Sequence, residues 1–571
     1  MSTPDVRTPA PRLARLPAKV EIYDTTLRDG AQLEGISLTV DDKLRIAEQL
    51  DWLGVDYIEA GWPGANPKDD ELFRRTATEL QLEHSTLVAF GSTRRVKGKV
   101  DSDDTLRHLI DANTSVVCIV GKCWDYHVTE ALQTTLDEGV AMVADSVEYL
   151  TACGREVFFD AEHFFDGYKR NPEFSLRVLE AAAQRGATRL VLCDTNGGSL
   201  PHEVEQTVRA VVDYFGDDVG IAVHLHDDAG TGVANALAGV LGGAMQVQGT
   251  INGYGERTGN CNLTTIIPNL TLKMGIETIP ADRLDRLTPV AHHVAELVNM
   301  ALNPQAAYVG ESAFAHKAGL HVSAIAKRPD AYEHVPPASV GNGTRFLVSE
   351  LAGKSTILLK AKELGIELDG PQVNDVVDTL KTMEHEGYHF EVADASLELL
   401  MRRATGWTQP WFTVESFRVI TDDFDGETTS GASRSGGGAS TRGERPGGSS
   451  VSTEATIKVH VGGERHVATA EGNGPVNALD AALRKALGGR FPGLDRVHLT
   501  DYKVRVLDTA KGTGAVTRVL IDSTNGDRTW STIGVSENII EASWQAMYDS
   551  VVYGLLLATA SDPATDSPPR P

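Results

Sequence analysis

The stretch GIAVHLHDD, residues 220–228, shows the pattern from which the fold of this chain follows. A short apolar run with β-branched residues ends in histidines and aspartates. In a β-strand successive side chains point to opposite faces, so His224 and His226 face one side while Val223 and Leu225 face the other. The stretch therefore predicts a buried strand that carries two imidazoles at its carboxyl end.

Seven further runs of this kind lie between residues 19 and 270, and longer segments with helical spacing separate them. The runs are VEIYDTTLRD (20–29), VDYIEAG (55–61), STLVAFGS (85–92), SVVCIVG (115–121), EVFFDAEHFFD (156–166), RLVLCDTNGG (189–198) and AMQVQGTING (244–253). This series of eight strand–helix units predicts an α/β fold of the (β/α)8 TIM-barrel class. A doubly wound open sheet would show similar alternation, but so many consecutive units favour a closed barrel.

The rest of the chain predicts further domains around the barrel. We expect a flexible tail over 1–18, the barrel over 19–290, a helical subdomain over 291–410, a C-terminal α+β domain over 411–562 and a flexible tail over 563–571. Within the α+β domain, residues 426–452 are so rich in Gly and Ser that we expect a disordered insertion. Residues 464–487 and 527–555 each show a strand, a glycine-containing turn and an amphipathic helix. This repeat indicates a pseudo-symmetric module suited to ligand sensing or dimerisation.

The composition is that of a soluble globular protein, with 41% hydrophobic and 23% charged residues. A formal net charge of −26 argues against a nucleic-acid partner, because such binding requires Lys and Arg to neutralise phosphates. We expect no membrane partner and a cytoplasmic location, since the sequence has neither a run of about 18 apolar residues nor a signal-peptide pattern. The five cysteines form no CxxC pair, which favours reduced structural thiols.

In a barrel, polar residues at the carboxyl ends of the strands meet at one mouth. They are here Arg28, Asp29, Glu59, Glu162, Asp194, Thr195, His224, His226 and, in the loop after the eighth strand, Asn260. Two neutral imidazoles and a carboxylate form a site for a divalent cation that keeps positions open for water or substrate. A hydrogen-bonded histidine pair is the alternative, but Asp29 and Asn260 at the same mouth favour a metal. Mg²⁺, Mn²⁺ and Zn²⁺ all suit these donors.

Three other residues at the mouth indicate further roles. The guanidinium of Arg28 has the donor geometry to stabilise oxygen charge that develops in a reaction, with a surface salt bridge as the alternative. Glu59 follows an apolar run and would be costly to bury alone, so we expect either an ion pair, for example with Arg28, or a catalytic proton. The hydroxyl of Thr195 suits a substrate carboxylate, or equally a helix cap.

The motifs YDTTLRDGAQ (23–32), HLHDD (224–228) and GYGERTGNCNL (253–263) together resemble the DRE-TIM metallolyases. This family includes 2-isopropylmalate synthase, homocitrate synthase, citramalate synthase and HMG-CoA lyase. The resemblance continues in FAHKAGLH (314–321), LAGKS (351–355) and GNGPVNALDAAL (472–483), so it covers nearly all of the chain except the N-terminal tail and the Gly/Ser stretch. Within the family, residues 30–73 are most similar to the citramalate synthases.

This resemblance implies an acyltransferase that joins acetyl-CoA to pyruvate in a Claisen condensation and hydrolyses the thioester. The products would be (R)-citramalate and CoA, on a route to isoleucine. The resemblance also implies a homodimer and an inhibitory branched-chain amino acid, isoleucine first, bound where two of the C-terminal modules meet in the dimer. The Gly/Ser insertion lies within that domain and makes the effector response less certain than the barrel chemistry.

The family pattern assigns roles to individual residues of this chain. Its metal ligands correspond to Asp29, His224, His226 and Asn260. Arg28 matches the arginine at the keto oxygen, and Thr195 matches the threonine at the carboxylate. Its acidic pocket residues correspond to Glu59 and Glu162. His321, with Tyr332 near it, matches a histidine that reaches the partner subunit's barrel as a candidate base.

Three other functions remain open on the sequence alone. A 2-isopropylmalate synthase would use 2-oxoisovalerate, and extra methylenes in an apolar pocket discriminate by only about 1–3 kcal/mol. A carbon–carbon lyase resembling HMG-CoA lyase would share the metal site, although residues 314–321 and the C-terminal domain argue against it. An amino-acid sensor on an inactive barrel would need a lost catalytic residue, and all of those named above are present.

Overall fold

The computed structural model describes residues 16–317, 324–325, 328–348, 353–424, 450–507 and 509–560. Packing divides the chain into two units. The first runs to Ala315 and includes Glu333–Arg345, and the second comprises His316–Tyr332 and the chain from Phe346 onwards. Within the described ranges, no helix is long and apolar enough to cross a membrane.

The first unit contains a closed barrel of eight parallel strands in sequence order, which confirms the predicted fold class. The strands are β1 (Glu21–Asp24), β2 (Tyr57–Gly61), β3 (Thr86–Ser92), β4 (Val116–Lys122), β5 (Glu156–Glu162), β6 (Ala187–Asp194), β7 (Gly220–Leu225) and β8 (Gln246–Gly249). Each overlaps the run that predicted it. The pairing of β1 with β8, with Tyr23 opposite Gln248, closes the barrel.

Helices of the first unit surround these strands. They are α1 (Val40–Leu53), α2 (Pro67–Glu79), α3 (Asp104–Asp111), α4 (Leu136–Ala152), α5 (Phe164–Arg170), α6 (Pro172–Gln184), α7 (Pro201–Phe215), α8 (Gly232–Gly242), α9 (Leu263–Pro268) and α10 (Leu287–Leu297). Helix α1 begins at a capping box in which Thr39 and Asp42 satisfy each other's backbone amides. It ends at Gly54, whose φ of 94° is the left-handed conformation that glycine adopts most readily.

Two apolar layers hold the barrel together. Tyr23, Val88, Phe90, Cys118 and Phe158 are buried together inside it. A larger core, formed by the outward faces of the strands and the inward faces of the helices, surrounds them. Because both faces of each strand are buried, the strands are nearly continuous apolar runs in the sequence. Polar residues in these runs therefore stand out as candidates for the site.

The second unit combines helices with two antiparallel sheets. At its sequence junctions with the first unit are the short strands β9 (Ala315–His316) and β10 (Arg345–Phe346). The remaining elements are α11 (Lys354–Glu363), α12 (Gly370–Glu386), α13 (Asp394–Ala404), β11 (Thr413–Phe424), β12 (Ser450–Val461), β13 (Glu464–Gly472), α14 (Pro475–Leu487), β14 (His498–Val506), β15 (Thr517–Thr524), β16 (Thr529–Ser536) and α15 (Ile539–Ala560). Strands β11–β13 and β14–β16 form separate three-stranded sheets, each followed by a helix, as the internal repeat predicts.

Several predictions concern residues that the structure does not describe. Residues 425–449, which hold most of the predicted Gly/Ser insertion, lie outside the described residues, as does His321. Phe424 and Ser450, on either side of residues 425–449, are register partners of the β11–β12 hairpin, so the last three residues of the predicted insertion, 450–452, lie in β12. The five-part division into tails, barrel, subdomain and α+β domain stays a prediction.

Candidate active site

The carboxyl ends of β1 and β7 bring together three side chains of the types that ligate metals. Oδ2 of Asp29 lies 3.2 Å from Nε2 of His224 and 3.8 Å from Nε2 of His226. The two imidazole nitrogens are 3.3 Å apart. All three residues are buried. In the described part of the chain, this is the only group of three or more His, Cys, Asp or Glu side chains placed to share one metal ion.

The loop after β8 places Asn260 beside this cluster. Asn260 forms an isolated β-bridge with His226, and its Nδ2 donates to the carbonyl oxygen of Tyr254 at 3.2 Å. Its Oδ1 is buried and has no hydrogen-bond partner among the described residues. Because a buried acceptor without a partner is costly, this oxygen calls for a cation or a donor from outside the described residues. The donor set therefore fits a divalent metal with mixed nitrogen and oxygen ligands.

The protonation states of the cluster also suit a cation. Burial alone would raise the pKa of Asp29, but the Arg28 guanidinium and the neighbouring imidazoles hold it well below its usual range. Burial, assisted by His224, lowers the pKa of His226 to about 4. Burial opposes protonation of His224 as well, yet contact with Asp29 raises its pKa overall. A positive charge between His224 and Asp29 is thus favourable, and a metal ion would supply it in place of a proton.

Arg28 lies next to the cluster and is held from two sides. Its Nε donates to Oε1 of Glu59 at 2.6 Å, and Oε2 of Glu59 accepts from the Tyr23 hydroxyl at 2.6 Å. The guanidinium carbon lies 3.9 Å from the centre of the Phe90 ring, a cation–π contact. Nη1 of Arg28 is 3.6 Å from Oδ2 of Asp29. The ion pair with Arg28, one of two roles predicted for Glu59, is therefore present.

The remaining candidates have other partners. Glu162 forms an ion pair with Lys122 on the neighbouring strand. The hydroxyl of Thr195 accepts from the backbone N–H of His163 at 2.9 Å. Both lie at the carboxyl end of the barrel, but within the described ranges no hydrogen bond or ion pair joins them to the Asp29 cluster. Tyr332 belongs to the second unit and is exposed.

Contacts between loops fix the mouth in a way that the motifs did not predict. Arg257 donates to both carboxylate oxygens of Asp228 at 2.6 and 2.9 Å and to the carbonyl oxygen of Thr195 at 2.8 Å. It thereby ties together the loops after β6, β7 and β8. Asp227 accepts from the backbone N–H of Gly232, where α8 begins. The two aspartates of HLHDD are therefore structural, holding the loop and the helix that follow the histidines.

Sequence reasoning also missed two buried residues behind the site. Tyr23 supports Glu59, and Gln248 contacts His224 from β8. The sequence did carry a signal for Gln248, because Gln246 and Gln248 flank Val247 and so share one face of a strand that is buried on both faces. A polar residue at such a position needs a buried partner. The sequence could not name that partner without the strand register.

Comparisons with known proteins agree with this architecture. The HMGL-like family matches residues 19–291, the homocitrate synthase post-HMGL domain-like family matches residues 308–388, and the LeuA allosteric (dimerisation) domain matches residues 444–555. The (R)-citramalate synthases of Aquifex aeolicus and Streptomyces coelicolor are each 51% identical to the chain over 94% of its length, covering 98% and 97% of their own. A Methanopyrus kandleri protein described as a probable 2-isopropylmalate synthase is 32% identical over 94% of the chain and 98% of that protein.

Proposed function

The chain belongs to the (R)-citramalate synthase family, and from this premise we propose that it condenses acetyl-CoA with pyruvate and releases (R)-citramalate and CoA. It is thus an acyltransferase that converts the acyl group to an alkyl group on transfer. The end-to-end similarity to two (R)-citramalate synthases carries the proposal, since the 2-isopropylmalate synthase relative is much more distant. A lyase assignment is not supported, because the chain also contains a LeuA-type regulatory domain.

The site supports the chemistry that this reaction requires. A divalent cation held by Asp29, His224 and His226, with Asn260 beside them, would polarise the carbonyl of the 2-oxo acid. Arg28 would donate to the keto oxygen as that oxygen gains negative charge. Glu59 would act through Arg28, because its carboxylate fixes the guanidinium in place.

Other residues would hold the substrates and move the proton. The Thr195 hydroxyl would bind the substrate carboxylate, and Glu162 with Lys122 would line the acidic side of the pocket. The acetyl methyl group is a weak carbon acid, so a positioned base is needed, and such bases contribute about 10²–10⁴-fold. We propose His321 of the partner subunit as that base, with Tyr332 near it.

We further propose that the product enters isoleucine biosynthesis and that isoleucine inhibits the enzyme through the second unit. A cavity of about 280 Å³ in that unit is lined by Ile521, Met547 and Val551 and by the ion pair of Asp480 with Arg484. It offers a carboxylate for an ammonium group, a guanidinium for a carboxylate and apolar walls for an aliphatic side chain. The LeuA allosteric (dimerisation) domain supports a homodimer. The free thiols suit a reducing compartment, so we propose the cytoplasm.

The test measures release of the CoA thiol by the metal-reconstituted full-length protein, with pyruvate and 2-oxoisovalerate offered separately. We expect EDTA-sensitive release with pyruvate, and (R)-citramalate as the product on chiral chromatography. Asp29→Ala and His226→Ala should abolish this turnover. A preference for 2-oxoisovalerate would contradict the substrate assignment, and full activity in EDTA or in either variant would contradict the metal site.

A further inference from the structure

We propose that Gln248 is a positioning residue for the metal ligand His224 and that Asp160 fixes the orientation of the Gln248 amide. The inference rests on the metal site of the proposed function but not on the identity of the 2-oxo acid. It concerns how the protein presents one ligand to the metal.

Four side chains on adjacent or facing strands form a continuous chain of hydrogen bonds behind the site. Nδ1 of His224 lies 2.9 Å from Oε1 of Gln248, and Nε2 of Gln248 donates to Oδ1 of Asp160 at 3.3 Å. The same Oδ1 accepts from the thiol of Cys118, with sulfur and oxygen 3.1 Å apart. Gln248 and Cys118 are fully buried, and Asp160 and His224 are nearly so. No bulk water is therefore available to substitute for any of these contacts.

The direction of these bonds follows from Asp160. The ionised carboxylate of Asp160 can only accept, so the group of Gln248 that faces its Oδ1 is the NH₂ donor. The amide oxygen of Gln248 then faces His224, and Nδ1 of His224 must carry the hydrogen that it accepts. In neutral His224 this leaves the lone pair on Nε2, which is the nitrogen 3.2 Å from Asp29. A reversed amide would place two acceptors opposite each other in a buried site, at a substantial cost.

The other histidine of the pair lacks an equivalent support. Nδ1 of His226 is buried and has no hydrogen-bond partner among the described residues. Ligands whose second nitrogen is held by a polar group have a fixed tautomer and ring orientation, and loss of that group typically weakens metal binding about 10–100-fold. The protein therefore orients the site through His224, and Gln248 is the residue through which this can be tested.

Strand β8 also provides a matched control. Gln246 lies two residues before Gln248, has the same side chain and is equally buried. Its Nε2 donates to Glu21 at 3.0 Å, at the opposite end of the barrel from the metal cluster. A substitution at Gln246 removes a buried amide from the same strand without touching any proposed ligand.

The experiment is calorimetric titration of chelator-stripped, full-length protein with Mn²⁺ and Co²⁺, together with the visible spectrum of the Co²⁺ form. We expect Gln248→Leu to raise the metal Kd about 10–100-fold and to change the Co²⁺ bands. Gln246→Leu should leave both readouts as in the wild type. Thermal unfolding of each metal-free protein reports any general loss of stability. Wild-type affinity in Gln248→Leu, or equal weakening in Gln246→Leu, would overturn the proposal.

A double variant keeps the test decisive if Gln248→Leu does not fold. With Gln248→Glu and Asp160→Asn combined, the new carboxylate accepts from His224 and from the NH₂ of the new amide. That NH₂ takes the place of Oδ1 of Asp160, so only the bond from the Cys118 thiol is lost. We expect this exchange to restore the Kd to within a few-fold of the wild type, and a folded double variant with weak binding would contradict the proposal. If the wild type binds no metal, the assignment of the metal site fails, and the role proposed for Gln248 fails with it. If it binds metal but does not use pyruvate, only the proposed reaction fails.

Discussion

At the scale of residues, two arginines with similar partners lie at opposite ends of the barrel and are expected to have different roles. Arg28 at the carboxyl end is held by Glu59 and by the face of Phe90. Arg189 at the opposite end donates to both oxygens of Glu21 at 3.1 and 2.8 Å and lies 5.8 Å from the centre of the Phe158 ring. The partners are alike, but only Arg28 is next to the metal-binding cluster. The catalytic role proposed for Arg28 and a structural role for Arg189 both follow from position along the strands.

We therefore expect Arg28→Lys to lower kcat by roughly 10²-fold, a loss typical of removing one donor to a developing oxyanion. An ammonium group is a point charge and cannot bond Glu59, stack on Phe90 and donate to substrate at once. Thiol release at saturating pyruvate measures the effect. Arg189→Lys is the control, since it makes the same change outside the site and should retain kcat. Equal rates in the two variants would show that Arg28 is peripheral.

Asp24 is a buried carboxylate whose role is structural. Its two oxygens accept from the amide and the hydroxyl of Thr26 at 2.8 and 2.9 Å, and that hydroxyl accepts from the backbone N–H of Ile251. These bonds join the end of β1 to the loop after β8. Burial raises the pKa of Asp24 to about 7, although the bonds from Thr26 oppose the rise.

The raised pKa of Asp24 should make the barrel less stable as the pH rises. The native state binds the Asp24 proton more tightly than the unfolded chain does. The contribution of this proton to the free energy of unfolding is therefore complete below about pH 4 and is lost as the pH rises through about 7. Each unit of pKa difference is worth about 1.4 kcal/mol. We expect Asp24→Asn to flatten the decline in the melting temperature of the barrel between pH 5 and pH 8, measured by scanning calorimetry. Asp213→Asn removes an exposed carboxylate from α7 and should leave the decline as steep as in the wild type. An unchanged slope in Asp24→Asn would contradict the assignment.

At the scale of elements, alternation along single strands carried the sequence predictions furthest. It placed His224 and His226 on one face, and the apolar run before Glu59 predicted a buried partner, which is Arg28. Alternation along a strand does not predict contacts between different elements. The hydroxyl of Thr195, which is predicted to bind a carboxylate or to cap a helix, also accepts from the backbone of His163 in another loop, and no local pattern predicts that contact. The bonds of Gln248 to His224 and of Arg257 to Asp228 likewise depend on strand register and loop path, which local patterns do not encode.

The loop GYGERTGN, residues 253–260, requires a glycine at residue 259. Gly259 has a φ of 98°, and a Cβ there would lie 2.0 Å from the carbonyl oxygen of Gly253. The carbonyl oxygen of Gly259 also accepts from the N–H of Asp227, next to the histidines that are the proposed metal ligands. A side chain at residue 259 would thus displace the loop that carries Asn260.

We expect Gly259→Ala to weaken Mn²⁺ binding and lower activity by at least about tenfold, since loss of one well-placed ligand contact costs on the order of 1.4 kcal/mol or more. Calorimetric titration and thiol release measure the two effects. Gly154→Ala is the control, because Gly154 also has a positive φ of 79° but a Cβ there would meet nothing within 4 Å. It should reduce stability alone. If both variants bind metal equally well, the loop does not depend on Gly259 in this way.

At the scale of the whole molecule, the proposed catalytic and effector sites lie in separate units of the chain. The metal cluster lies in the barrel unit, whereas the Asp480–Arg484 cavity lies in the second unit. The second unit repeats one module of three strands and a helix, and residues 425–449, which hold most of the predicted Gly/Ser insertion, connect two register partners of the first copy. Closure entropy rises slowly with loop length, so such an insertion is tolerated without disturbing either site.

This separation allows regulation to be altered without touching the chemistry. Arg484 donates to Asp480 at 2.8 Å and to the carbonyl oxygen of Leu494 at 3.1 Å, and it is the cation that would meet the carboxylate of a bound amino acid. A bond between a guanidinium and a carboxylate is worth about 1.5–3 kcal/mol. Arg484→Met keeps the aliphatic stem and should raise the isoleucine concentration for half-inhibition by about tenfold or more. Arg490→Met removes an exposed cation outside the cavity and should be inhibited like the wild type. Unchanged inhibition of Arg484→Met would exclude this cavity as the effector site, and a wild-type rate insensitive to isoleucine would exclude the effector.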